Sequence, residues 1–187
     1  MTEPFVAINS LWAFWVLSWV LASAWSARTE ARPGGFRGLP YYIFTVAGAT
    51  MLFGVQPRWQ DSPPIDGSLG WLLVAVAVLG FLFSWWARLH LGALWSGTVT
   101  RKEGHHVIDT GPYRFVRHPI YTGIILASFA TAIEKATPIA FAGAATMALG
   151  WYLKARLEER FLREELGADA YGAYAARVPM LVPFVKA

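Results

Sequence analysis

The sequence predicts an all-α, polytopic membrane protein with about five transmembrane helices, the last two forming a helical hairpin, followed by a cytoplasmic C-terminal helix. Three observations carry this prediction. The 187 residues are 56% hydrophobic, 16% aromatic and 15% charged, against about 25% charged in a soluble domain. Long apolar runs recur between short polar segments. Basic residues concentrate in alternate loops, as they do on the cytoplasmic side of a membrane.

The first apolar run, residues 5–24, has an uncharged core rich in Trp, Leu and Val. It lacks the basic leader of a secretory signal and is longer than a typical signal core, so it reads as a span. Its Trp residues are expected to face lipid or the interface. A loop with Arg28, Arg32, Pro33, Gly34, Gly35 and Arg37 follows. The second run is 39–55, and 56–67 is a turn rich in Pro and Asp. The third run, 69–87, is the cleanest span. A polar loop, 88–118, leads to runs 120–133 and 137–153, separated only by Glu134, Lys135 and Ala136. The fourth run is shorter than the roughly 20 residues a perpendicular helix needs. The pair therefore reads as a tight hairpin extended by flanking residues. From Lys154 the tail is charged and helical to about Tyr174, then breaks at Pro179 and Pro183. One integral membrane domain occupies 1–187, since no second domain of ordinary size fits. Three spans fill 1–90. No G-x-x-x-G helix seam stands out.

Charge bias orients the spans. The loop after the first carries Arg28, Arg32 and Arg37 against Glu30; the next carries Arg58 against Asp61 and Asp66. The third carries Arg88, Arg101, Lys102, Arg114 and Arg117 against Glu103 and Asp109. The expected topology has the N-terminus outside and the C-terminus in the cytoplasm, in a cell inner membrane. Cytoplasmic loops thus account for the excess of 16 Lys and Arg over 12 acids, and no nucleic-acid partner is implied. The chain has no Cys, which excludes disulfides, thiolate metal sites and a thiol nucleophile.

Two polar clusters stand out. In 111–123, two Arg, a His and two Tyr crowd the start of the fourth run. Polar groups that dense at a membrane edge mark a site. Pro119 suits the first turn of a helix. The helix end beside Arg117 suits a carboxylate or phosphate. Tyr121 lies one turn from His118 on the same face. Gly123 admits a close backbone or ligand. The second cluster is Glu158-Glu159-Arg160-Phe161-Leu162, after the last apolar run. Adjacent on a helix, the two glutamates point about 100° apart, so one faces inward and the other faces solvent or a basic partner. A plainer reading pairs Glu159 with Arg163 on a solvated face. His105 and His106 have no partner at metal-ligand spacing, so no metal is expected. Walker A, dinucleotide-fold and hydrolase-elbow motifs are missing.

The run from His105 through Val107-Ile108, Gly111-Pro112-Tyr113-Arg114 and Arg117-His118-Pro119-x-Tyr121-x-Gly123 resembles the isoprenylcysteine carboxyl methyltransferase family. So do Glu158-Glu159-x-x-Leu162, Gly167, Tyr171, Tyr174, Arg177-Val178-Pro179 and Pro183-Phe184. The five spans match the family's prokaryotic form. The resemblance implies that 91–187 is the cofactor-binding catalytic part and that the cofactor is S-adenosylmethionine, with S-adenosylhomocysteine as product. Carried over, His105, the backbone at Val107 and Ile108, Gly111, Tyr113, His118, Pro119, Tyr121, Gly123 and one of Glu158 and Glu159 would surround it. Arg117 would lie near the transferring methyl and Arg177 near the acceptor; Arg117, Glu159 and Arg177 are the expected catalytic residues. The implied partner is a lipophilic or lipid acceptor among membrane lipids, with carboxylate or thiolate favoured. A neutral amine acceptor, as in phospholipid N-methylation, would need a base. Competing readings are an NADPH-dependent, sterol-reductase-like membrane enzyme and a non-enzymatic membrane accessory protein.

Overall fold

The computed structural model describes residues 3–26, 28–31, 36–54, 65–99, 101–102, 107–166 and 168–185. Each predicted apolar run is a helix: α1 (Glu3–Ala22), α2 (Leu39–Phe53), α3 (Gly67–Leu91), α4 (Pro119–Lys135) and α5 (Pro138–Leu166), followed by α6 (Ala168–Arg177). Local chemistry sets the ends. Asp66 caps α3, its carboxylate accepting the Ser68 N–H at 3.2 Å, and Gly92 at φ 56° turns the chain out of it. Pro119 opens α4, where its missing N–H removes no bond. Ala136 in the left-handed region ends α4, and the Thr137 hydroxyl accepts the Ala140 N–H as α5 begins. The predicted hairpin is therefore present.

Among the described residues, two helices are long and apolar enough to cross a membrane: α1, and α3 with the 3-10 turn that continues it to Leu94. Only 17% of the apolar window of α1 is buried, so Phe14, Leu17 and Leu21 point away from the protein. That is an outer surface suited to lipid. Trp12 and Trp15 differ from the expectation for this span. Both are buried against Phe81 of α3, and the Trp12 indole N–H donates to Thr131 Oγ1 of α4 at 2.9 Å. Pairing with a buried hydroxyl lets an indole sit in a core.

The helices pack α1 on α3, α3 on α4, α4 on α5 and α5 on α2. Close backbone approach makes two of these seams without the G-x-x-x-G spacing. A methyl group on Gly123 would strike the Gly80 carbonyl and the Ser84 hydroxyl, and one on Gly48 would strike the backbone of Gly143 and Met147. Ser84 Oγ donates across the first seam to Ile120 O at 3.0 Å.

Two features went unread in the sequence. A two-stranded antiparallel ribbon joins β1 (Thr29–Ala31) to β2 (Arg101–Lys102), tying the first polar loop to the third. Arg88, counted as the first loop charge, is fully buried in the last turn of α3. Its guanidinium donates to Ala22 O, Trp25 O and Gly92 O at 2.6–2.7 Å and lies between the Trp25 and Trp95 rings. It satisfies carbonyls at the end of α1 that a helix terminus leaves open.

The feature that positions the site is the length of α5. The last apolar run and the charged tail are one helix of 29 residues, about 44 Å long. Glu158 and Glu159 are thus rigidly linked to the hairpin.

Candidate active site

A cleft of about 870 Å³, counting its open mouth, lies where the loop before α4 meets the far end of α5 and α6. The chain enters it through Gly111 in the left-handed region and a 3-10 turn, Gly111–Arg114. Tyr113 is buried there; its carbonyl accepts the Tyr174 hydroxyl of α6 at 2.7 Å. Both phenols are held neutral by burial, which pushes them well above their ordinary range. The backbone N–H groups of Arg117 and His118 donate to Pro179 O at 2.8 Å and Met180 O at 3.1 Å. Thr122 Oγ1 donates to Leu181 O at 2.6 Å. The tail after α6 therefore takes up donors beside the start of α4.

Four charged groups meet in this frame. Glu159 Oε1 accepts from Arg117 Nε at 2.6 Å and lies 3.2 Å from His118 Nε2. Glu158 Oε2 lies 3.5 Å from His118 Nδ1, and its Oε1 accepts the Tyr121 hydroxyl at 2.6 Å. His118 thus has a carboxylate at each ring nitrogen. Its ring stacks on Tyr121, which stacks in turn on Trp151. Arg117 Nη1 also donates to Ala175 O and Val178 O. Its Nη2 has no partner among the described residues, and Arg117 lines the cleft. Arg163 reaches Glu159 only at 3.9 Å, so the solvated-face pairing is the weaker contact.

The two glutamates divide as their 100° separation requires. Glu158 lines the cleft; Glu159 is not among its lining residues and faces Arg117 and His118 behind the wall. Val107, Ile108, Tyr113, His118, Pro119 and Tyr121 line the cleft. Gly111 packs beneath the His90 ring, and Gly123 meets Gly80 of α3; neither lines the cleft. Arg177 is exposed and pairs with Asp109 at 3.4 Å on the surface. His105 lies outside the described residues. Trp95 and Phe161 also line the cleft, with no site role expected of either. Trp95 stood in a stretch read as a polar loop, while Phe161 stood in the second cluster just beyond Arg160, and an i,i+3 reading from Glu158 would have found it.

Burial alone would lower the His118 imidazole, but its bonds to Glu158 and Glu159 outweigh that and hold it above its ordinary 6.5. Burial alone would raise Glu158; the His118 bond, the Lys154 charge and the Tyr121 hydroxyl hold it below 4.5. Glu159 is likewise held below 4.5, with His118 and Arg117 overcoming burial. The signs give two limbs. The raised His118 contributes stability fully below pH 6.5, lost as pH rises through its raised value. The lowered carboxyls contribute above pH 4.5, and lose it as pH falls through their lowered values. The three groups titrate as one cluster. Thermal stability in detergent is expected to be greatest between the limbs, and His118→Gln to shrink the alkaline limb. An unaltered alkaline limb in that variant would mean the imidazole carries no charge.

The chain also matches known proteins. The family model described as the isoprenylcysteine carboxyl methyltransferase (ICMT) family matches residues 72–164, a stretch that holds both polar clusters. Methanethiol S-methyltransferase 2 of Bradyrhizobium diazoefficiens is 35% identical over 137 residues, covering 68% of this chain and 50% of the relative. Protein-S-isoprenylcysteine O-methyltransferase B of Arabidopsis thaliana is 33% identical over 89 residues, covering 47% and 45%. Methanethiol S-methyltransferase of Mycobacterium tuberculosis is 44% identical over 73 residues, covering 38% and 28%. The chain spans half or less of the length of these relatives. The matched segment contains most of α3, all of α4 and most of α5, with the loop that carries Arg117 and His118 and both glutamates, and the chain belongs to the isoprenylcysteine carboxyl methyltransferase family.

Proposed function

We propose that the chain is an integral membrane methyltransferase that binds S-adenosylmethionine in this cleft and methylates a lipophilic acceptor at the cytoplasmic face. The observation that carries this reading is the Arg117–His118–Glu158–Glu159 cluster at the wall of a largely apolar cleft. The residues present fit the cofactor. Glu158 and the rings of Tyr113, Tyr121 and Trp95 suit its cationic groups. Arg117 Nη2, which has no partner among the described residues, suits a carboxylate. Val107, Ile108 and Phe161 offer apolar surface for a flat base.

When bound, the cofactor supplies a methyl group on a sulfonium, open to in-line displacement by a nucleophile. The chain's own part is to hold both reactants aligned and to exclude water. A carboxylate or thiolate acceptor needs no base, because its charge and that of the sulfonium are lost together in the transition state. Arg117 can hold such an anion. The names of the relatives divide between an isoprenylcysteine O-methyltransferase and methanethiol S-methyltransferases, and both acceptors react as anions. Arg177, paired with Asp109 at the surface, lies outside the cleft lining and serves acceptor approach. The five-span topology, with α1, α2, α3, α4 and the first half of α5 in the bilayer and the N-terminus outside, would set the cleft at the cytoplasmic boundary.

Isothermal titration of the detergent-solubilised chain is expected to detect S-adenosylhomocysteine binding, weakened at least about tenfold in Arg117→Ala by loss of a charged hydrogen bond. Stabilisation by NADPH with no response to S-adenosylhomocysteine would reverse the assignment in favour of a reductase. Labelled methyl donor, followed into lipid and thiol extracts, identifies the acceptor.

A further inference from the structure

Lys154 does not line the cleft, yet it is only 5% exposed. A buried ammonium costs free energy unless its surroundings compensate, and an apolar side chain of similar volume is often as stable or more so. Stability alone therefore does not account for a cation here.

The surroundings do. Lys154 Nζ donates to Gly97 O at 2.8 Å. It also faces the rings of Tyr41, Tyr121 and Trp151 at 5.6, 5.2 and 5.3 Å. These partners come from different parts of the fold: α2, α4, α5 and the connection after α3. Gly97 sits inside a segment whose neighbours Ser96, Thr98 and Val99 line the cleft, and Tyr121 lines it too. Glu158, which accepts the Tyr121 hydroxyl, follows Lys154 by one helical turn. The same segment is held at its start by Arg88 against the Trp95 ring and by the Ser26 hydroxyl donating to Trp95 O at 2.9 Å. Lys154 is the second point of attachment.

We propose that Lys154 is a positioning residue of the cleft, whose ammonium fixes the wall formed by Ser96, Thr98 and Val99 against the Tyr121–Glu158 pair. The inference rests on the reading of the cleft as the cofactor site. A flexible stem ending in a compact charge can satisfy a carbonyl and three ring faces at once. Neither methionine nor leucine offers that.

The test uses the whole chain in detergent, first without ligand. Hydrogen exchange in the peptide spanning 95–99 is expected to accelerate about tenfold in Lys154→Met, the order of effect for losing one charged hydrogen bond. Exchange within α3 and α4 should stay at the wild-type rate. Lys154→Arg keeps a donor and a ring-facing cation, and should hold the peptide within about threefold of wild type. S-adenosylhomocysteine affinity should fall about tenfold in the first variant and be largely retained in the second. Unchanged exchange at 95–99 in Lys154→Met, or equal exchange in both variants, would overturn the proposal. If Lys154→Met does not fold, Tyr41→Leu opens the aromatic box from a residue outside the cleft lining and should accelerate the same peptide; no acceleration overturns it. A wild-type chain that fails to bind S-adenosylhomocysteine overturns the cofactor reading alone, because the exchange is measured without it.

Discussion

Glu159→Gln is expected to remove S-adenosylhomocysteine binding almost entirely, with a loss of at least about 100-fold. The carboxylate is 7% exposed and its Oε1 serves both Arg117 Nε and His118 Nε2. Glutamine keeps the shape and an acceptor oxygen but not the charge, which leaves His118 with Glu158 alone and takes from Arg117 the carboxylate it pairs with. Breaking a buried pair from one side costs about 3–5 kcal/mol, and each 1.4 kcal/mol is a factor of ten. Part of that cost falls on stability, because Arg117 also holds Ala175 O and Val178 O; thermal melting should fall with affinity. Glu164→Gln, on the exposed face of α5, should leave both measurements near wild type. Full binding by Glu159→Gln would remove Glu159 from any role in shaping the site.

A chain stopped after Arg177 is expected to keep its helices by circular dichroism yet lose the cleft. The missing stretch supplies Val178 O to Arg117 Nη1, Pro179 O and Met180 O to two backbone N–H groups, and Leu181 O to Thr122. A buried donor stripped of its partner costs about 1–3 kcal/mol, and the donors concerned adjoin the start of α4. The cluster should respond as a unit. Titration with S-adenosylhomocysteine should show no heat above background. Wild-type affinity in the truncated chain would show that the tail only decorates the site.

The apolar runs were legible because lipid-facing helices announce themselves by length and composition, and the α4–α5 turn because its three residues leave room for nothing longer. The crowding of polar groups at 111–123 and 158–162 was legible for the opposite reason: charges beside an apolar run need partners. Periodicity could separate Glu158 from Glu159 by angle, but only the packing of α5 on α4 determines which lines the cleft. Arg88 and Lys154 escaped for one shared reason. Each ends or follows an apolar run, where a charge reads as the start of a loop, and each is buried by partners more than fifty residues away along the chain. Gly123 was read as room for a ligand or a neighbouring backbone, and the backbone of Gly80 fills it. The β1–β2 ribbon, with strands of three and two residues, is too short to leave a pattern of alternation.

The pairing of Arg117 and His118 with Pro179 and Met180 also sets an order of events during synthesis. The ribosome delivers the loop before α4 some sixty residues ahead of the carbonyls that complete it. Until those carbonyls emerge, the nascent chain holds its two cations beside an unfinished wall and has no assembled cleft. A stalled or clipped product would keep its helices and still lack the finished wall. The completed cleft thus marks a chain whose synthesis has passed residue 181, a checkpoint written into the order of the chain.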